Sequence, residues 1–276
     1  MKNATTCLVT GAMGAIGKPL CTELARRGAT VVMMCRDDQR GRAAVDEVRR
    51  LSGSHAVELL TCDLGSIDSV RRAATEYKAR FQRLDVLINN AAVFTGTRKV
   101  TADGFEQMLG INYLSHYLLT NLLLDVLIAS APSRIVCMTM PTKAPIDLDD
   151  LMSERSFKPM KAFESSKSAC THLAVELGKR LEGTGVTANA VHPGMVNSSL
   201  PREAALPLRL VFKLFGTSPE QGKEAPLYVA TSPELEGITS TYFVKNKPAS
   251  LPAGVDDDAL RASLWQRSAR LVGLQA

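Results

Sequence analysis

At 276 residues, with 45% hydrophobic and 22% charged residues, the chain has the size and composition of one large globular domain with a substantial core. Its net charge of +5 comes from lysines and arginines that are spread along the sequence. This distribution predicts solvated helix faces and argues against a nucleic-acid-binding surface. No apolar run reaches the ~18–20 residues of a membrane span, and a strand pattern begins without room for a signal peptide, so we expect a cytoplasmic protein. The six cysteines lack a Cys-x-x-Cys pair, which favours buried free thiols over disulfides or a metal site.

The first predicted strand, Thr5–Thr10, runs directly into a glycine-rich turn at Gly11–Gly17. A helical pattern follows and is closed by Gly28, and a second strand is predicted at Thr30–Cys35. Glycines in such a turn permit a sharp bend, let backbone approach a pyrophosphate, and place it at the positive end of a helix. Strand, turn, helix and strand together predict a dinucleotide-binding unit.

The end of the second strand indicates which dinucleotide is bound. An acidic residue there would hydrogen-bond a ribose 2′-hydroxyl, whereas the guanidinium of Arg36 suits a 2′-phosphate. Asp37 and Asp38 follow at once, and we interpret them as caps of a helix predicted from about Gln39 to Leu51. The predicted cofactor is therefore NADP(H), with NAD(H) as the alternative.

The remaining pattern alternates strands with helices. This alternation predicts an α/β fold, a single-domain Rossmann-type doubly wound parallel sheet of seven strands that spans residues 1–276. Further strands are predicted at Ala56–Cys62, Leu84–Ile88, Ser133–Thr139, Val186–Val191 and Ile238–Val244. Further helices are predicted at Ser66–Phe81, Asp103–Ala129, Lys161–Leu181 and Ala259–Leu271, with a polar insertion at Pro141–Met160.

Several motifs together resemble the short-chain dehydrogenase/reductase family. The glycine turn has the spacing Thr-Gly-x-x-x-Gly-x-Gly, and Asn89–Ala92 is similar to that family's Asn-Asn-Ala-Gly. The stretch Ala162–Lys167 resembles its Tyr-x-x-x-Lys helix, although Phe163 stands in place of the tyrosine. Asp147–Leu151 and Leu264–Ala269 resemble the retinol-dehydrogenase-like branch.

The resemblance implies a set of residues that contact the cofactor, all placed after the predicted strands. It implies that the Pro-Gly turn lies near the nicotinamide and that Ser198 occupies the place of a carboxamide-binding threonine. The implied cofactor-binding residues are Gly11, Met13, Gly14, Ile16, Gly17, Arg36, Asp63, Leu64, Asn90, Ala91, Ala92, Lys167, Pro193, Gly194, Val196 and Ser198. For Asp63, a turn or helix-cap role is the alternative.

The resemblance also implies an active site with its usual acid missing. Lys167 would bind the nicotinamide ribose, and the main-chain carbonyl of Asn112 would hold a water linked to that lysine. The positions of the family's serine pair carry Thr139 and Met140, and strand alternation directs the Thr139 hydroxyl away from the substrate. With Phe163 and Met140 both apolar, we expect a dry pocket in which reduction of a simple ketone or retinal is disfavoured.

Two other features bear on partners. Residues 199–222 are predicted to form a substrate lid. The alternative is that a short amphipathic piece within them lies on a membrane surface, without forming a stable anchor. His116 and Tyr117 are interpreted as helix-surface or interface residues. The resemblance implies a homodimer or homotetramer formed through the helices that contain Asn112 and Phe163.

Three functions remain open at this level. The first is an atypical NADP(H)-dependent oxidoreductase acting on a small lipophilic substrate, either an iminium or an enone, which accepts hydride without an enzyme acid at an oxygen. The second is a non-redox cyclase or isomerase that keeps the cofactor as part of the pocket wall. The third is a cofactor-binding protein without chemistry, which acts through a partner.

Overall fold

The strands at the centre of the protein are rich in valine, leucine, isoleucine and methionine because they are buried on both faces. We analysed a computed structural model that describes residues 5–142, 146–198, 200–204 and 206–275. The five residues of the first strand, Thr6–Thr10, are all buried, as expected for a strand covered by helices on both sides of a sheet. The α/β doubly wound prediction is confirmed by this arrangement.

The sheet has eight strands in the order β3-β2-β1-β4-β5-β6-β7-β8, one more than predicted. Their bounds are β1 Thr6–Thr10, β2 Thr30–Cys35, β3 Val57–Thr61, β4 Val86–Asn89, β5 Ser133–Met138, β6 Val186–His192, β7 Tyr242–Val244 and β8 Lys247–Ala249. All neighbours are parallel except β7 and β8, which pair antiparallel as a hairpin. The prediction of seven strands is wrong because β8 is a three-residue, fully exposed edge strand with no apolar pattern.

The helices cover both faces of the sheet. They are α1 Gly17–Arg26, α2 Asp38–Ser52, α3 Ile67–Arg80, α4 Gln107–Leu109, α5 Ser115–Leu122, α6 Leu124–Ala129, α7 Pro159–Arg180, α8 Leu206–Phe215, α9 Pro219–Gly222, α10 Glu224–Thr231 and α11 Asp258–Leu271. One apolar core contains side chains of α3, α5, α7 and α11, and the other contains side chains of α1, α2 and α10. Sequence patterns did not reveal α10, in which Pro226 lies within the first turn.

The long helix predicted from Asp103 to Ala129 begins four residues later and is interrupted. Its α-helical part starts at Gln107, where the Glu106 side chain accepts hydrogen bonds from two main-chain amides of the first turn. Between α4 and α5, residues Gly110–Leu114 form a π-helical turn that contains Asn112. A π turn shifts the hydrogen-bond ladder by one residue and frees a carbonyl, which gives a physical basis for a functional asparagine at this point.

The predicted lid is mostly helical. Residues Leu200–Glu203 form a short 3₁₀ helix and are followed by α8 and α9, while Ser199 and Ala205 lie outside the described residues. Val196 and Thr217 pair as an isolated parallel bridge, so the two ends of the segment are tied together. Within the described ranges, the helices are all too short or too polar to cross a membrane.

The C-terminal helix α11 covers part of the surface through which oligomers are predicted. The Tyr113 hydroxyl lies 2.8 Å from the Ser268 hydroxyl, and the Tyr117 ring packs on Trp265 with centroids 4.7 Å apart. On the α7 side, the Arg261 side chain forms an ion pair with Glu176 at 3.3 Å. A homodimer or homotetramer stays a prediction. A partner subunit that docks on α5 and α7 would have to pack beside α11.

Candidate active site

The glycine turn between β1 and α1 has a shape that side chains would prevent. Gly11 adopts φ +62°, and a Cβ atom there would lie 2.8 Å from the Cα atom of Ala91. A Cβ atom on Gly17 would lie 2.3 Å from the carbonyl oxygen of Gly11, far inside van der Waals contact. The turn is therefore compressed against the loop after β4, and its first helical turn carries no acidic residue that would compete with a phosphate.

Thr10 and Asn90 hold this turn in place. The Asn90 amide nitrogen Nδ2 donates to the carbonyl oxygens of Thr10 at 2.8 Å and Gly11 at 3.2 Å. In return, the Thr10 hydroxyl oxygen accepts hydrogen bonds from the main-chain amides of Asn90 at 2.9 Å and Ala91 at 3.0 Å. The loops after β1 and β4 are thus fixed to each other before any ligand is bound.

Arg36 and the two aspartates that follow it differ in their interactions. Arg36 is exposed, and within the described chain it has no hydrogen bond or ion pair. Asp37 is the N-cap of α2 and accepts from the Arg40 amide at 2.8 Å. Asp38 pairs with Arg42, whose hydrogen bond lowers the pKa of the Asp38 carboxyl. The predicted capping role is confirmed for Asp37, whereas Asp38 is the first residue of α2 and not its cap.

The other implied cofactor contacts lie at the same edge of the sheet, beyond the carboxyl ends of the parallel strands. The Asp63 carboxylate accepts from the Gly65 amide at 2.9 Å, so it forms a turn after β3 whatever else it binds. Gly194 has φ +94°, and Val196 is buried against Gly222. The Ser198 hydroxyl oxygen accepts from the Leu200 amide at 3.3 Å. Met13, Ile16, Leu64, Ala91, Ala92 and Pro193 are half-buried at this edge.

These residues fit a bound dinucleotide, because the glycine turn, the free helix N-terminus and the unpaired Arg36 occupy the places where phosphates are held in such folds. When bound, that cofactor would supply a hydride from its nicotinamide ring. The chain's own contribution is to hold the backbone loops after β1 and β4 close together and to present a guanidinium at the end of β2.

Phe163 lies in an apolar cluster instead of a polar acid site. Its ring packs edge-to-face against Phe94, with centroids 5.5 Å apart, and it is 8% exposed. We call its surroundings the apolar cluster, which consists of Val93, Phe94, Met108, Met140, Phe157, Ala162, Phe163, Leu200 and Ala204. Met140 therefore joins Phe163, as expected for a dry pocket, and Leu200 and Ala204 bring the lid segment onto it.

Thr139 does not face this cluster. Its hydroxyl donates to the carbonyl oxygen of Lys167 at 2.7 Å and lies 2.8 Å from the Thr171 hydroxyl, so it is held against α7. Strand alternation predicted this outcome, because Thr139 and Met140 are successive residues at the end of β5. The position thus supplies no hydroxyl directed into the apolar cluster.

Lys167 lies one helical turn from Phe163 and is almost completely buried. Its ammonium nitrogen Nζ donates to the carbonyl oxygen of Met138 at 3.1 Å, and the residue is 5% exposed. Burial lowers the pKa of Lys167 from its ordinary value. The Lys167 ammonium is thus placed at the end of β5, on the same face of α7 as Phe163.

The Asn112 side chain joins the β4 loop to α7. Its Oδ1 atom accepts from the Val93 amide at 2.7 Å, and its Nδ2 atom donates to the Ser166 hydroxyl at 3.0 Å. Its main-chain carbonyl already has side-chain partners. The Nδ1 atom of His116 lies 2.8 Å from that oxygen and the thiol of Cys170 lies 3.1 Å from it.

His116 was assigned wrongly from the sequence, because it is 1% exposed and lies inside the protein, as does Tyr117. A carbonyl only accepts hydrogen bonds, so His116 Nδ1 carries the proton donated to Asn112. Burial lowers the pKa of His116 to about 4, which keeps the ring neutral and leaves Nε2 to accept from the Thr10 hydroxyl at 2.9 Å. This neutral imidazole connects the cofactor turn to the π turn.

The contacts of the Asn112 carbonyl bear on how a proton would reach the substrate. The carbonyl that the family resemblance assigns to a relay water already accepts a hydrogen bond from His116, and the Cys170 thiol covers it. Sequence reasoning missed it, because the contact with Cys170 depends on how α7 packs on the turn that contains Asn112.

Comparison with known proteins agrees with this geometry. The family model described as short chain dehydrogenase matches residues 5–206. Human retinol dehydrogenase 14 is 39% identical, in an alignment that covers 99% of this chain and 88% of that protein.

Two solved structures also match. The crystal structure of an uncharacterized protein from Mycobacterium Paratuberculosis has a TM-score of 0.79 at 30% identity, covering 98% of this chain and 94% of the other. The Pseudomonas aeruginosa RhlG/NADP active-site complex has a TM-score of 0.69 at 25% identity, covering 92% and 97%. The chain belongs to the short-chain dehydrogenase/reductase family of oxidoreductases, in its retinol-dehydrogenase-like branch.

Proposed function

We propose that the protein is an NADP(H)-dependent reductase of small lipophilic substrates whose acceptor carbon takes hydride without an enzyme acid at an oxygen. Iminium ions and enones have this property. The observation that carries the proposal is the contrast between the two halves of the site. The glycine turn is preformed by Thr10 and Asn90, whereas the place of the acid is filled by Phe163 packed on Phe94.

The apolar cluster supports a lipophilic substrate. A ketone that gains hydride becomes an alkoxide, whose charge lies on oxygen alone and is strongly disfavoured in an apolar surrounding unless donors meet it. An enone that gains hydride at its β-carbon becomes an enolate, whose charge is shared with carbon and which is protonated there. Phe163 and Met140 offer no donor, and the Thr139 hydroxyl is bound to α7. An iminium ion becomes neutral on accepting hydride, so the same apolar surrounding favours its reduction.

A substrate panel tests the proposal. We expect NADPH absorbance to fall with lipophilic cyclic iminium ions or enones and to fall at least about 10²-fold more slowly with matched ketones and with retinal, because general acid catalysis contributes roughly 10²–10⁴ in rate. Reduction of retinal by this protein at the same rate as reduction of an enone would contradict the proposal.

Arg36 supports NADP(H) over NAD(H), because it is exposed and unpaired while both neighbouring aspartates are engaged. We expect Arg36→Ala to weaken NADPH binding by about 1.5–3 kcal/mol, the range for hydrogen bonds to charged groups, and to leave NADH binding unchanged. Fluorescence titration with both cofactors measures this difference.

Asp37→Ala is the matched control for Arg36→Ala. It removes the α2 cap and should lower the free energy of unfolding by about 1 kcal/mol without changing the ratio of NADPH to NADH affinity. Equal losses of NADPH and NADH affinity in Arg36→Ala would contradict the assignment of the 2′-phosphate to Arg36.

A non-redox cyclase or isomerase is the second candidate, and the contacts of the Asn112 carbonyl favour it. The Asn112 carbonyl accepts from His116 and lies 3.1 Å from the Cys170 thiol, so it has less capacity to hold the water that would resupply protons during repeated reduction of carbonyls. Product formation without loss of NADPH absorbance would identify this activity. A cofactor-binding protein without chemistry would give neither signal.

A further inference from the structure

His116 joins the loop after β1 to the π turn through both nitrogen atoms of its ring. Its Nδ1 atom lies 2.8 Å from the carbonyl oxygen of Asn112, and its Nε2 atom lies 2.9 Å from the hydroxyl oxygen of Thr10. All three residues are buried, and His116 is 1% exposed. His116 therefore acts on a bound ligand only through the residues that it holds in place.

The Thr10 hydroxyl indicates which atom of the ring accepts a hydrogen bond. A hydroxyl has two lone pairs and one proton. The main-chain amides of Asn90 and Ala91 donate to the Thr10 hydroxyl oxygen at 2.9 and 3.0 Å, so both lone pairs are used. The proton of Thr10 must then point to an acceptor, and the closer of the two acceptors within reach is Nε2 of His116.

The other acceptor for this proton is poorer. The carbonyl oxygen of Ile88 lies 3.4 Å from the Thr10 hydroxyl and already accepts from the Asn90 amide at 3.0 Å. On the opposite side of the ring, the Asn112 carbonyl only accepts hydrogen bonds, so Nδ1 of His116 carries a proton. Both contacts thus require the same neutral imidazole, which donates from Nδ1 and accepts at Nε2.

We propose that His116 is a positioning residue for the dinucleotide, because its Nε2 atom holds the Thr10 hydroxyl in the rotation that binds both amides of the loop after β4. That loop lies directly against the glycine turn, since a Cβ atom on Gly11 would be 2.8 Å from the Ala91 Cα atom. Without the imidazole the hydroxyl turns towards Ile88, and the bonds that keep the two loops together weaken. The inference rests on the dinucleotide site of the proposed function and does not depend on the class of substrate.

Fluorescence titration with NADPH and with NADH, without substrate, tests the inference on His116→Leu, which removes both ring nitrogens. We expect the affinity for each cofactor to fall at least about 10-fold, the scale of a buried hydrogen bond whose partner is left unsatisfied. The losses should be equal because both cofactors contain the pyrophosphate, whereas Arg36→Ala should affect NADPH alone. His116→Gln, whose side-chain amide has one donating and one accepting end, should restore most of the lost affinity.

His172→Leu is the matched control. His172 is also a buried histidine, 2% exposed, but it lies on α7 and its charged neighbours are Arg261 and Asp257 at the start of α11. Among the described residues, its Nδ1 atom has no hydrogen-bond partner. This substitution should leave both cofactor affinities unchanged. Cofactor affinities of His116→Leu that equal those of His172→Leu would overturn the inference.

The protonation state of the His116 ring gives a readout that a change in stability would not produce. The chain has four histidines, so the ring signals of a ¹⁵N-labelled protein can be assigned by comparison with His116→Gln. Long-range proton–nitrogen NMR at pH 7 should show His116 protonated at Nδ1 and unprotonated at Nε2. A proton on Nε2 would overturn the inference, because that atom could not then accept from Thr10. The native protein gives this spectrum, so it decides the inference even if His116→Leu fails to fold.

A double-variant cycle with Thr10→Val tests whether His116 acts through that hydroxyl. On the Thr10→Val background, His116→Leu should change cofactor affinity less than about twofold, because the bond that it removes is already absent. Losses that simply add would overturn the route through Thr10. Native protein that binds neither cofactor would refute the dinucleotide site and with it the proposed function. Native protein that binds both cofactors, with His116→Leu unchanged, would refute the role of His116 alone.

Discussion

Gly17→Ala is expected to remove dinucleotide binding, with a loss of at least about 100-fold in affinity, or about 2.8 kcal/mol. The added Cβ atom would lie 2.3 Å from the Gly11 carbonyl oxygen and 2.9 Å from the Ala12 Cα atom. Both contacts are with backbone, so they are relieved only by moving the turn that faces the pyrophosphate. Fluorescence titration with NADPH measures the loss.

Gly28→Ala is the matched control. Gly28 has a left-handed conformation, φ +84°, and a Cβ atom there would meet nothing within 4 Å. The substitution should therefore lower the free energy of unfolding by about 1 kcal/mol through backbone strain and leave NADPH affinity unchanged. Full NADPH affinity in Gly17→Ala would contradict the assignment of this turn to the cofactor.

The double variant Phe163→Tyr/Met140→Ser is expected to lose the native activity without gaining ketone reduction. It would place a phenol and a hydroxyl in the apolar cluster, each costing about 1–3 kcal/mol if left without a partner. We also expect slow recharging of the phenol, because the Asn112 carbonyl that the resemblance assigns to the relay water already accepts from His116 and lies 3.1 Å from the Cys170 thiol. Steady-state rates on an enone and on simple ketones measure both effects.

Phe81→Tyr is the control for adding a phenol elsewhere, since Phe81 is half-buried at the end of α3, in a different part of the fold. It should leave enone turnover unchanged. Undiminished enone turnover by the double variant, together with new ketone reduction, would show that Phe163 is merely a lost tyrosine and that the pocket was not remade for other chemistry.

The placement of the candidate cofactor residues at one edge of the sheet could be predicted from the sequence because its signals are local. The glycine spacing, the position of Arg36 after β2 and the Asn89–Ala92 stretch each act within a few residues of a strand end. Parallel strands then bring these ends to one edge of the sheet without further information. The doubly wound fold followed from the same alternation of strands and helices.

The parts that could not be predicted depend on contacts between distant residues. His116 is polar and was therefore predicted to lie on a helix surface. It is instead buried, with its ring hydrogen-bonded to Thr10, 106 residues away, and to Asn112 within the π turn. The strand β8 lacks an apolar pattern because it lies at an exposed edge. The role of Cys170 depends on how α7 packs on the π turn, which helical periodicity alone does not define.

The most direct test of the central claim, hydride transfer at a site without the usual acid, is the transfer of deuterium from NADPH labelled at the transferable position of nicotinamide C4. The account predicts that mass spectrometry of the enone product finds one deuterium at the β-carbon, with far less labelled alcohol from a matched ketone. A product that forms without deuterium, or a ketone labelled as fast as the enone, would contradict it.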